Sequence, residues 1–439
     1  MGKKQPNIIL IMSDDLGYEV LGANGGISYK TPYLDEMAAT GMRFENGHVM
    51  PLCTPTRVSV MTGKYNFRNY IGFGIMSPDE VTFGHLFSEA GYNTCISGKW
   101  QLYSYNPPGE WPEYRSNGQR IEDAGFDEFC VWHAHHTEEK GSRYKDPIIY
   151  ENGKYRDDTE GKYGDNIFCD YIIDFIDRKK DEDNPFLVYW PMVATHKPHE
   201  PTPDSPEWDD FDPPSNRYRG LNTWEEIERD QSEDDPRFYR DMVEYHDKVI
   251  GRLLDYLSKQ GLSEDTLVIY LGDNGTPDDV CSMVHQHNEI CGGKGKTNDR
   301  GTHVPLIVSM PGTVPAGTVT ADMIETTDFL PTILEASGLE VPEGYVIDGR
   351  SFYSQLTGGK GNRRDWMFFH FEPDGQAKGR GGSSRIRFVR DIEWNLYETG
   401  ELYDLRVDLD EDVPIYEEDD TPEQAASRAR LKPVFAQMV

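Results

Sequence analysis

Several short apolar runs in this chain stop abruptly at polar or charged residues. The runs span residues 7–12, 94–97, 186–190 and 266–271. Runs of this length without alternation are typical of strands buried on both faces, as in a parallel sheet. Between them lie amphipathic stretches with the period of a helix, at residues 165–180 and 242–257. The alternation predicts an α/β fold with a large, mostly parallel mixed sheet sandwiched by helices.

Polar side chains follow each of these runs. The residues are Asp14, Asp15, Lys99, His196, Asp273 and Asn274. Because ligands of open parallel sheets bind beyond the carboxyl ends of the strands, we expect these residues to share one active site. Carboxylate and amide oxygens are the ligands that Ca²⁺ or Mg²⁺ takes. The sequence therefore indicates a divalent cation at this edge.

A cysteine stands at the start of a further predicted helix. Residues 42–46 are typical of a strand, and residues 55–64 of a helix with Pro55 in its first turn. Cys53 would then lie at the helix N-terminus, where free N–H groups and the helix dipole favour an anion, and Arg57 adds a positive charge. We expect an unmodified thiol there to have a lowered pKa and to be reactive. On this segment alone, an ordinary buried cysteine is an equal alternative.

The pentapeptide Cys-Thr-Pro-Thr-Arg at residues 53–57, with Thr-Gly-Lys-Tyr at 62–65, resembles the C-x-P-S/T-R signature of formylglycine-dependent sulfatases. These enzymes belong to the alkaline phosphatase-like superfamily. The resemblance implies that a maturation enzyme oxidises Cys53 to formylglycine, whose hydrate attacks sulfur. It also implies a cation, calcium or else magnesium. Its ligands would be the residues matching Asp14, Asp15, Cys53, Asp273 and Asn274.

The same resemblance assigns further catalytic residues. Lys99 and Lys294 match the lysines that bind the sulfate and the nucleophile, and His196 matches a histidine near the ester oxygen. One position departs, because Gln101 stands where the family commonly has histidine. Glutamine can orient the hydrate but cannot accept a proton near neutral pH. The base for sulfate release therefore stays open between Lys99 and a network polarised by the metal.

Two stretches that resemble insertions supply candidate substrate contacts. Residues 197–240 are predicted to form a long surface excursion near the site, and residues 130–156 contain three histidines. His133 and His135 are predicted to face the substrate, with a zinc site that includes His136 as the alternative. His303, where relatives often have arginine, is a further predicted contact. Trp132 and Trp208 suit stacking against sugar rings, which favours a sulfated poly- or oligosaccharide as substrate over a small aryl or alkyl sulfate, the alternative.

Two other functions remain open from the sequence. A phosphodiesterase or phosphonate monoester hydrolase of the same superfamily would use the same nucleophile on phosphorus. A non-catalytic binder of sulfated glycans would keep Cys53 unmodified.

Charge and hydropathy exclude other partners. With 44 Lys and Arg against 77 Asp and Glu, the net charge of −33 repels nucleic acid and anionic membranes. Apolar runs long enough to span a bilayer are absent from the sequence. The chain starts without a recognisable signal peptide, which predicts either a cytoplasmic protein or a periplasmic or secreted one whose signal is missing here.

The chain is expected to form two units. Residues 1–344 are predicted to form the catalytic α/β domain, and residues 345–439 a subdomain with a small antiparallel sheet. Its predicted strands span residues 366–371, 386–389, 393–397 and 401–405. Six cysteines do not form the dense pattern of a disulfide scaffold, and with Cys53 reserved for catalysis at least one other thiol stays unpaired.

Overall fold

The computed structural model describes residues 5–105, 108–109, 111–213, 223, 235–285, 288–375 and 385–438. The strands are β1 Asn7–Ser13, β2 Met42–His48, β3 Tyr70–Gly72, β4 Ile75–Met76, β5 Asn93–Lys99, β6 Glu128–Trp132, β7 Ile149–Glu151, β8 Lys154–Tyr155, β9 Phe186–Pro191, β10 Thr266–Gly272, β11 Cys281–Val284, β12 Asn288–Cys291, β13 Leu306–Ser309, β14 Thr318–Glu325, β15 Met367–Phe371, β16 Ile386–Arg390, β17 Trp394–Tyr397 and β18 Leu402–Asp404.

The α-helices are α1 Pro32–Thr40, α2 Cys53–Thr62, α3 Asn66–Asn69, α4 Phe83–Glu89, α5 Gly164–Lys179, α6 Phe238–Lys259, α7 Asp299–Thr302, α8 Phe329–Ala336, α9 Tyr353–Leu356 and α10 Pro422–Gln437. Short 3₁₀ turns occur at Tyr18–Val20, Gly22–Asn24, Pro112–Tyr114, Ile121–Asp123, Thr137–Glu139, Ser263–Asp265, Thr326–Asp328 and Glu417–Asp419. Among the described residues, none of the helices is long and apolar enough to cross a membrane.

A ten-stranded sheet in the order β14-β2-β13-β10-β1-β9-β5-β6-β7-β8 forms the centre of the molecule. Strand β1 pairs in parallel with β9 and β10, and β5 pairs in parallel with β9 and β6. Strand β13 runs antiparallel between β10 and β2. The carboxyl ends of the parallel strands therefore meet at one edge, which confirms the predicted mixed, mostly parallel sheet.

Side chains of the central strands alternate between two cores. In β1, Ile8, Leu10 and Met12 join the cluster that includes α2, α4 and α8. Ile9 and Ile11 point the other way, into the cluster that includes α1, α5 and α6. A strand covered by helices on both faces needs apolar residues at every position, which explains why the run has no polar alternation.

A second, four-stranded antiparallel sheet in the order β15-β16-β17-β18 confirms the predicted C-terminal strands. Helix α10 packs on it through Leu431 and Val434. This helix was not predicted, although Thr421 and Gln424 form a capping box at its start. That the catalytic domain ends at residue 344 stays a prediction.

The two predicted insertions belong to the fold more closely than expected. Residues 130–132 are the end of β6, and β7 and β8 extend the sheet beyond it. The surface excursion at 197–240 was predicted wrongly for its first part, because His199, Glu200 and Thr202 are buried. Its last part begins α6, and most of residues 214–234 lie outside the described residues.

The cysteines fall into two groups. Cys281 and Cys291 form a disulfide between the antiparallel strands β11 and β12. Cys53, Cys95, Cys130 and Cys169 are free and buried. The expectation that a thiol other than Cys53 stays unpaired is therefore confirmed.

Candidate active site

Helix α2 presents Cys53 at its first position. The extended residue Leu52 precedes it, and Gly63, with φ of 66°, ends the helix by donating its N–H to the Ser59 carbonyl. The helix begins two residues earlier than predicted, and every one of its residues is buried. A buried helix N-terminus leaves N–H groups pointing toward the space beside Cys53, which suits an anionic ligand.

Lys99 connects the cysteine to the end of the sheet. Its Nζ lies 3.5 Å from Cys53 Sγ and donates to Asp14 Oδ2 at 2.8 Å. Burial raises the pKa of Cys53, and this effect outweighs the opposing charge of Lys99. The expectation of a lowered thiol pKa was therefore wrong, because the site excludes solvent more completely than a helix N-terminus near the surface.

Four oxygen-bearing side chains lie beside Cys53, as predicted from the strand ends. Asp14, Asp15, Asp273 and Asn274 are all fully buried. Asp273 Oδ1 accepts from the Asp15 N–H at 3.1 Å, and Asn274 Nδ2 donates to Asp15 Oδ1 at 2.8 Å. Asp15 has φ of 62°, a left-handed conformation that bends the chain back toward the cluster directly after β1.

This cluster fits a cation. One ligand atom from each of Asp14, Cys53 and Asp273 lies within 4.8 Å of the other two. The same limit holds for Asp14, Asp15 and His196. Asp14 Oδ1 and Asn274 Oδ1 are buried without a hydrogen-bond partner in the described parts of the chain. Buried oxygens are rarely left unpaired, so these two atoms are available as metal ligands.

Positive side chains compensate the carboxylates. Arg57 donates to Asp273 Oδ2 through Nε at 3.2 Å and Nη2 at 3.0 Å, and Lys294 donates to Asp15 Oδ2 at 2.7 Å. Burial would raise the pKa of Asp14, but Lys99 and Arg57 hold it below its ordinary value. Burial and the charge of Asp14 raise the pKa of Asp273 to about 7. Lys99 and Lys294 are also available to donate to a bound anion beside these carboxylates.

His196 completes the predicted group. Its Nε2 lies 3.9 Å from Asp15 Oδ2, and its Nδ1 lies 2.6 Å from the Lys197 carbonyl. A carbonyl only accepts, so Nδ1 carries the proton and Nε2 of the neutral ring faces the cluster. Burial and the charge of Lys294 hold the pKa of His196 well below its ordinary value.

Gln101 and His133 lie side by side where β5 and β6 end. The Gln101 N–H donates to the His133 carbonyl at 3.1 Å, and both residues have positive φ, 52° and 57°. Both are buried, and His133 Nδ1 has no hydrogen-bond partner. The chain therefore turns at Gln101, two residues after the end of β5, and beside it at His133, directly after β6. That either side chain contacts substrate stays a prediction.

The other predicted substrate contacts are more dispersed. His135 Nδ1 lies 2.9 Å from the Tyr155 hydroxyl, whereas His136 lies near Glu138 and Glu139. The three neighbouring histidines thus have separate partners. His303 stacks on Tyr18 with ring centroids 4.0 Å apart. Its role in substrate binding also stays a prediction.

The two tryptophans predicted to stack on sugar rings have different environments. Trp132 is buried, and the Arg143 guanidinium covers its ring at 4.2 Å, so the stacking interpretation was wrong for this residue. Trp208 is half-buried and packs edge-on against Tyr163 with ring centroids 5.8 Å apart. That Trp208 stacks on a sugar stays a prediction.

Arg143 is a residue of the site that was not predicted from the sequence. This arginine lies in a basic stretch, Gly-Ser-Arg-Tyr-Lys at 141–145, and is buried beside the site. Its charge contributes to lowering the pKa of His196 and of His133. A buried arginine cannot be distinguished from a surface one by sequence pattern alone, so the stretch gave no usable signal.

Comparison with known families identifies the family to which the chain belongs. The model of the family described as Sulfatase matches residues 6–339, and the model of the N-sulphoglucosamine sulphohydrolase C-terminal region matches residues 294–436. The chain belongs to the sulfatase family. It is therefore an enzyme that hydrolyses sulfate esters, as the pentapeptide at Cys53 indicated.

Named relatives agree with this assignment. N-acetylgalactosamine-6-sulfatase of Canis lupus familiaris is 30% identical over 83% of this sulfatase and 68% of its own length. N-acetylglucosamine-6-O-sulfatase of Bacteroides thetaiotaomicron is 26% identical over 92% and 81%. A protein solved with its substrate D-glucosamine-2-N,6-O-disulfate shares the fold, with a TM-score of 0.75 at 23% identity over 99% of this chain and 97% of that one.

Proposed function

We propose that this sulfatase removes sulfate from a sulfated carbohydrate, with formylglycine made from Cys53 as the nucleophile. The observation that carries the proposal is the contact of Cys53 Sγ with Lys99 Nζ, at the helix N-terminus and beside two buried carboxylates. Both named relatives are sulfatases of N-acetylhexosamine 6-sulfates by their names. We therefore propose a 6-sulfated N-acetylhexosamine as the substrate unit.

The chain's own side chains bind and orient the ester. Formylglycine at position 53, as its hydrate, would supply the hydroxyl that attacks sulfur while the bond from sulfur to the alcohol oxygen breaks. Lys99 lies within reach of this position and also holds Asp14. Lys294 holds Asp15, and the ammonium groups of the two lysines can donate hydrogen bonds to the sulfate oxygens. His196 faces the same cluster through Nε2, and this nitrogen must first take up a proton before the ring can donate one to the departing alcohol.

Calcium is the proposed cation, with magnesium as the alternative. A bound cation supplies polarisation of the sulfate and stabilises developing negative charge. Asp14, Asp15, Asp273 and Asn274 would hold it through buried oxygens. Mg²⁺ usually keeps several waters, whereas Ca²⁺ accepts six to eight oxygens in flexible geometry. A fully buried set of four oxygen-bearing side chains suits calcium better.

We further propose a periplasmic or secreted location and maturation by a formylglycine-generating enzyme. The Cys281–Cys291 disulfide supports the location, because disulfides persist in oxidising compartments. The buried thiol of Cys53 supports maturation before folding is complete, since the folded site leaves it 1% exposed.

The experiment is a desulfation assay on protein whose Cys53 peptide has been checked by mass spectrometry. Matured protein should release sulfate from N-acetylglucosamine 6-sulfate or N-acetylgalactosamine 6-sulfate, and Cys53→Ala protein should release none. Sulfate release by the Cys53→Ala variant would overturn the nucleophile. Faster hydrolysis of an aryl phosphate diester would favour the phosphodiesterase, and binding of sulfated glycans without turnover would favour the non-catalytic binder.

A further inference from the structure

A buried arginine lies beside the site without a counterion. Arg143 is 7% exposed, and its Nη1 has no hydrogen-bond partner among the described residues. None of the acids in the described parts of the chain forms an ion pair with it. A buried cation without a partner is costly, and buried charges are normally paired. The position therefore favours an anion that comes from outside these residues.

Neighbouring side chains hold this arginine in place. Its guanidinium lies 4.2 Å from the centre of the Trp132 ring, which fixes the plane of the fork. Tyr144, the next residue, donates its hydroxyl to the Val193 carbonyl at 2.8 Å. Val193 lies three residues before His196, so the arginine is tied to the segment that carries the predicted acid.

The strand register places the Trp132 platform next to the lysine that contacts Cys53. Trp132 pairs with Lys99 across β6 and β5, so their backbones are one strand spacing apart, about 4.8 Å. The charge of Arg143 acts on Asp14 and on His196, and it contributes to lowering the pKa of both groups. The guanidinium is therefore near enough to the site to bind a group of the same substrate.

We propose that Arg143 binds a second anionic group of the substrate, a sulfate or carboxylate carried near the scissile sulfate. The inference rests on the proposed function, because it assigns a further determinant of specificity to the same site. A planar guanidinium suits the paired oxygens of either group.

The test compares substrates that differ in one negative charge. The probes are N-acetylglucosamine 6-sulfate, D-glucosamine-2-N,6-O-disulfate, and a uronic acid–N-acetylgalactosamine 6-sulfate disaccharide. In Arg143→Met, kcat/KM should fall about 10- to 100-fold on the second or third probe, mainly through KM, the range for a lost charged hydrogen bond. On the singly charged probe, kcat/KM of the same variant should change less than about threefold. The disulfate arm reports a second sulfate, and the disaccharide arm a carboxylate.

Two further variants separate binding from folding. Arg143→Lys should recover part of the loss, because it keeps the charge without the planar fork. Arg120→Met, which removes an exposed arginine paired with Glu122, should leave kcat/KM unchanged on all three probes. Thermal melting of each variant checks that the fold is kept.

The outcomes are separable from those of the proposed function. Equal losses on all three probes, or no loss on any, would overturn the role of Arg143. If wild-type matured protein hydrolysed no sulfate ester, the proposed function would fail. Titration of the same probes into Cys53→Ala protein, with and without Arg143→Met, would still decide whether Arg143 selects the second charge.

Discussion

Arg57 and Asp273 are joined by two hydrogen bonds, of 3.2 and 3.0 Å, between fully buried side chains. Arg57 belongs to α2, the helix that begins with Cys53, and Asp273 follows β10. The same guanidinium lies 3.6 Å from Asp14 Oδ2, at the end of β1. One arginine of the signature pentapeptide therefore positions two proposed metal ligands on two different strands relative to the nucleophile.

Replacing Arg57 by methionine should destabilise the protein strongly. The substitution leaves Asp273 and Asp14 buried near each other without their shared cation, and breaking a buried pair costs about 3–5 kcal/mol. Denaturant unfolding in the presence of EGTA measures the loss without interference from metal. The matched control is Arg178→Met, which removes an exposed pair with Glu128 and should cost less than about 1 kcal/mol. Equal losses in the two variants would contradict the role given to Arg57.

Calcium should stabilise the folded protein, and EGTA should remove the effect. A ligand at about 100 times its Kd raises the free energy of unfolding by about 2.7 kcal/mol. Asn274→Ala removes an oxygen without a partner, so it should weaken the calcium response. Asn93→Ala, at an exposed hydrogen bond to Glu182, should keep it. A melting temperature insensitive to EGTA, with Ca²⁺, Mg²⁺ and Mn²⁺ all ineffective, would refute the cation site.

The positions of the proposed ligands could be predicted because sheet topology determines them. Residues that follow the carboxyl ends of parallel strands meet at one edge of the sheet, independent of the conformation of the loops. The proximity of Asp14 and Asp273 could therefore be predicted from the sequence pattern alone. The helix at Cys53 was also predictable, since Pro55 and Gly63 mark its two ends.

Other features depend on packing that leaves no local signal. The direction of the Cys53 pKa shift depends on solvent exclusion by side chains distant in sequence. Trp132 seemed suited to stacking on a sugar, but Arg143 occupies its face. Both errors arose because burial is a property of the assembled chain, and neither residue differs in its local sequence from an exposed one.

Substituting Gln101 by histidine should preserve the fold and change the pH dependence of turnover. Gln101 is buried with φ of 52°, a conformation that histidine adopts more readily than most residues. Burial and nearby positive charges lower the pKa of the neighbouring His133 and should lower that of an imidazole here, so kcat should gain an inflection between about pH 4 and 7. The measurement is kcat across that range on a 6-sulfated N-acetylhexosamine. Gln101→Leu is the control for size, and an unchanged profile in Gln101→His would exclude Gln101 from the reacting centre.

Asp247 makes stability fall as pH rises. It lies in α6, and its carboxylate accepts from the N–H groups of Tyr33 and Leu34 at 3.1 and 2.8 Å, in the first turn of α1. Burial raises its pKa to about 6, above the ordinary value of 3.8, despite these bonds. Between these values the folded state holds the proton more tightly than the unfolded state. The contribution of this group is therefore full below pH 3.8 and is lost as pH rises through about 6.

Asp247→Asn should remove this dependence. Asparagine stays neutral and keeps one acceptor oxygen for α1. The free energy of unfolding of the variant should therefore decline less than that of wild type between pH 4 and 7. A pKa difference of about two units corresponds to roughly 3 kcal/mol at most. Denaturant unfolding at several pH values measures the difference between the two slopes. Asp255→Asn, on the exposed part of the same helix, should follow wild type. Parallel curves for wild type and Asp247→Asn would show that the carboxylate is already charged in the folded protein at low pH.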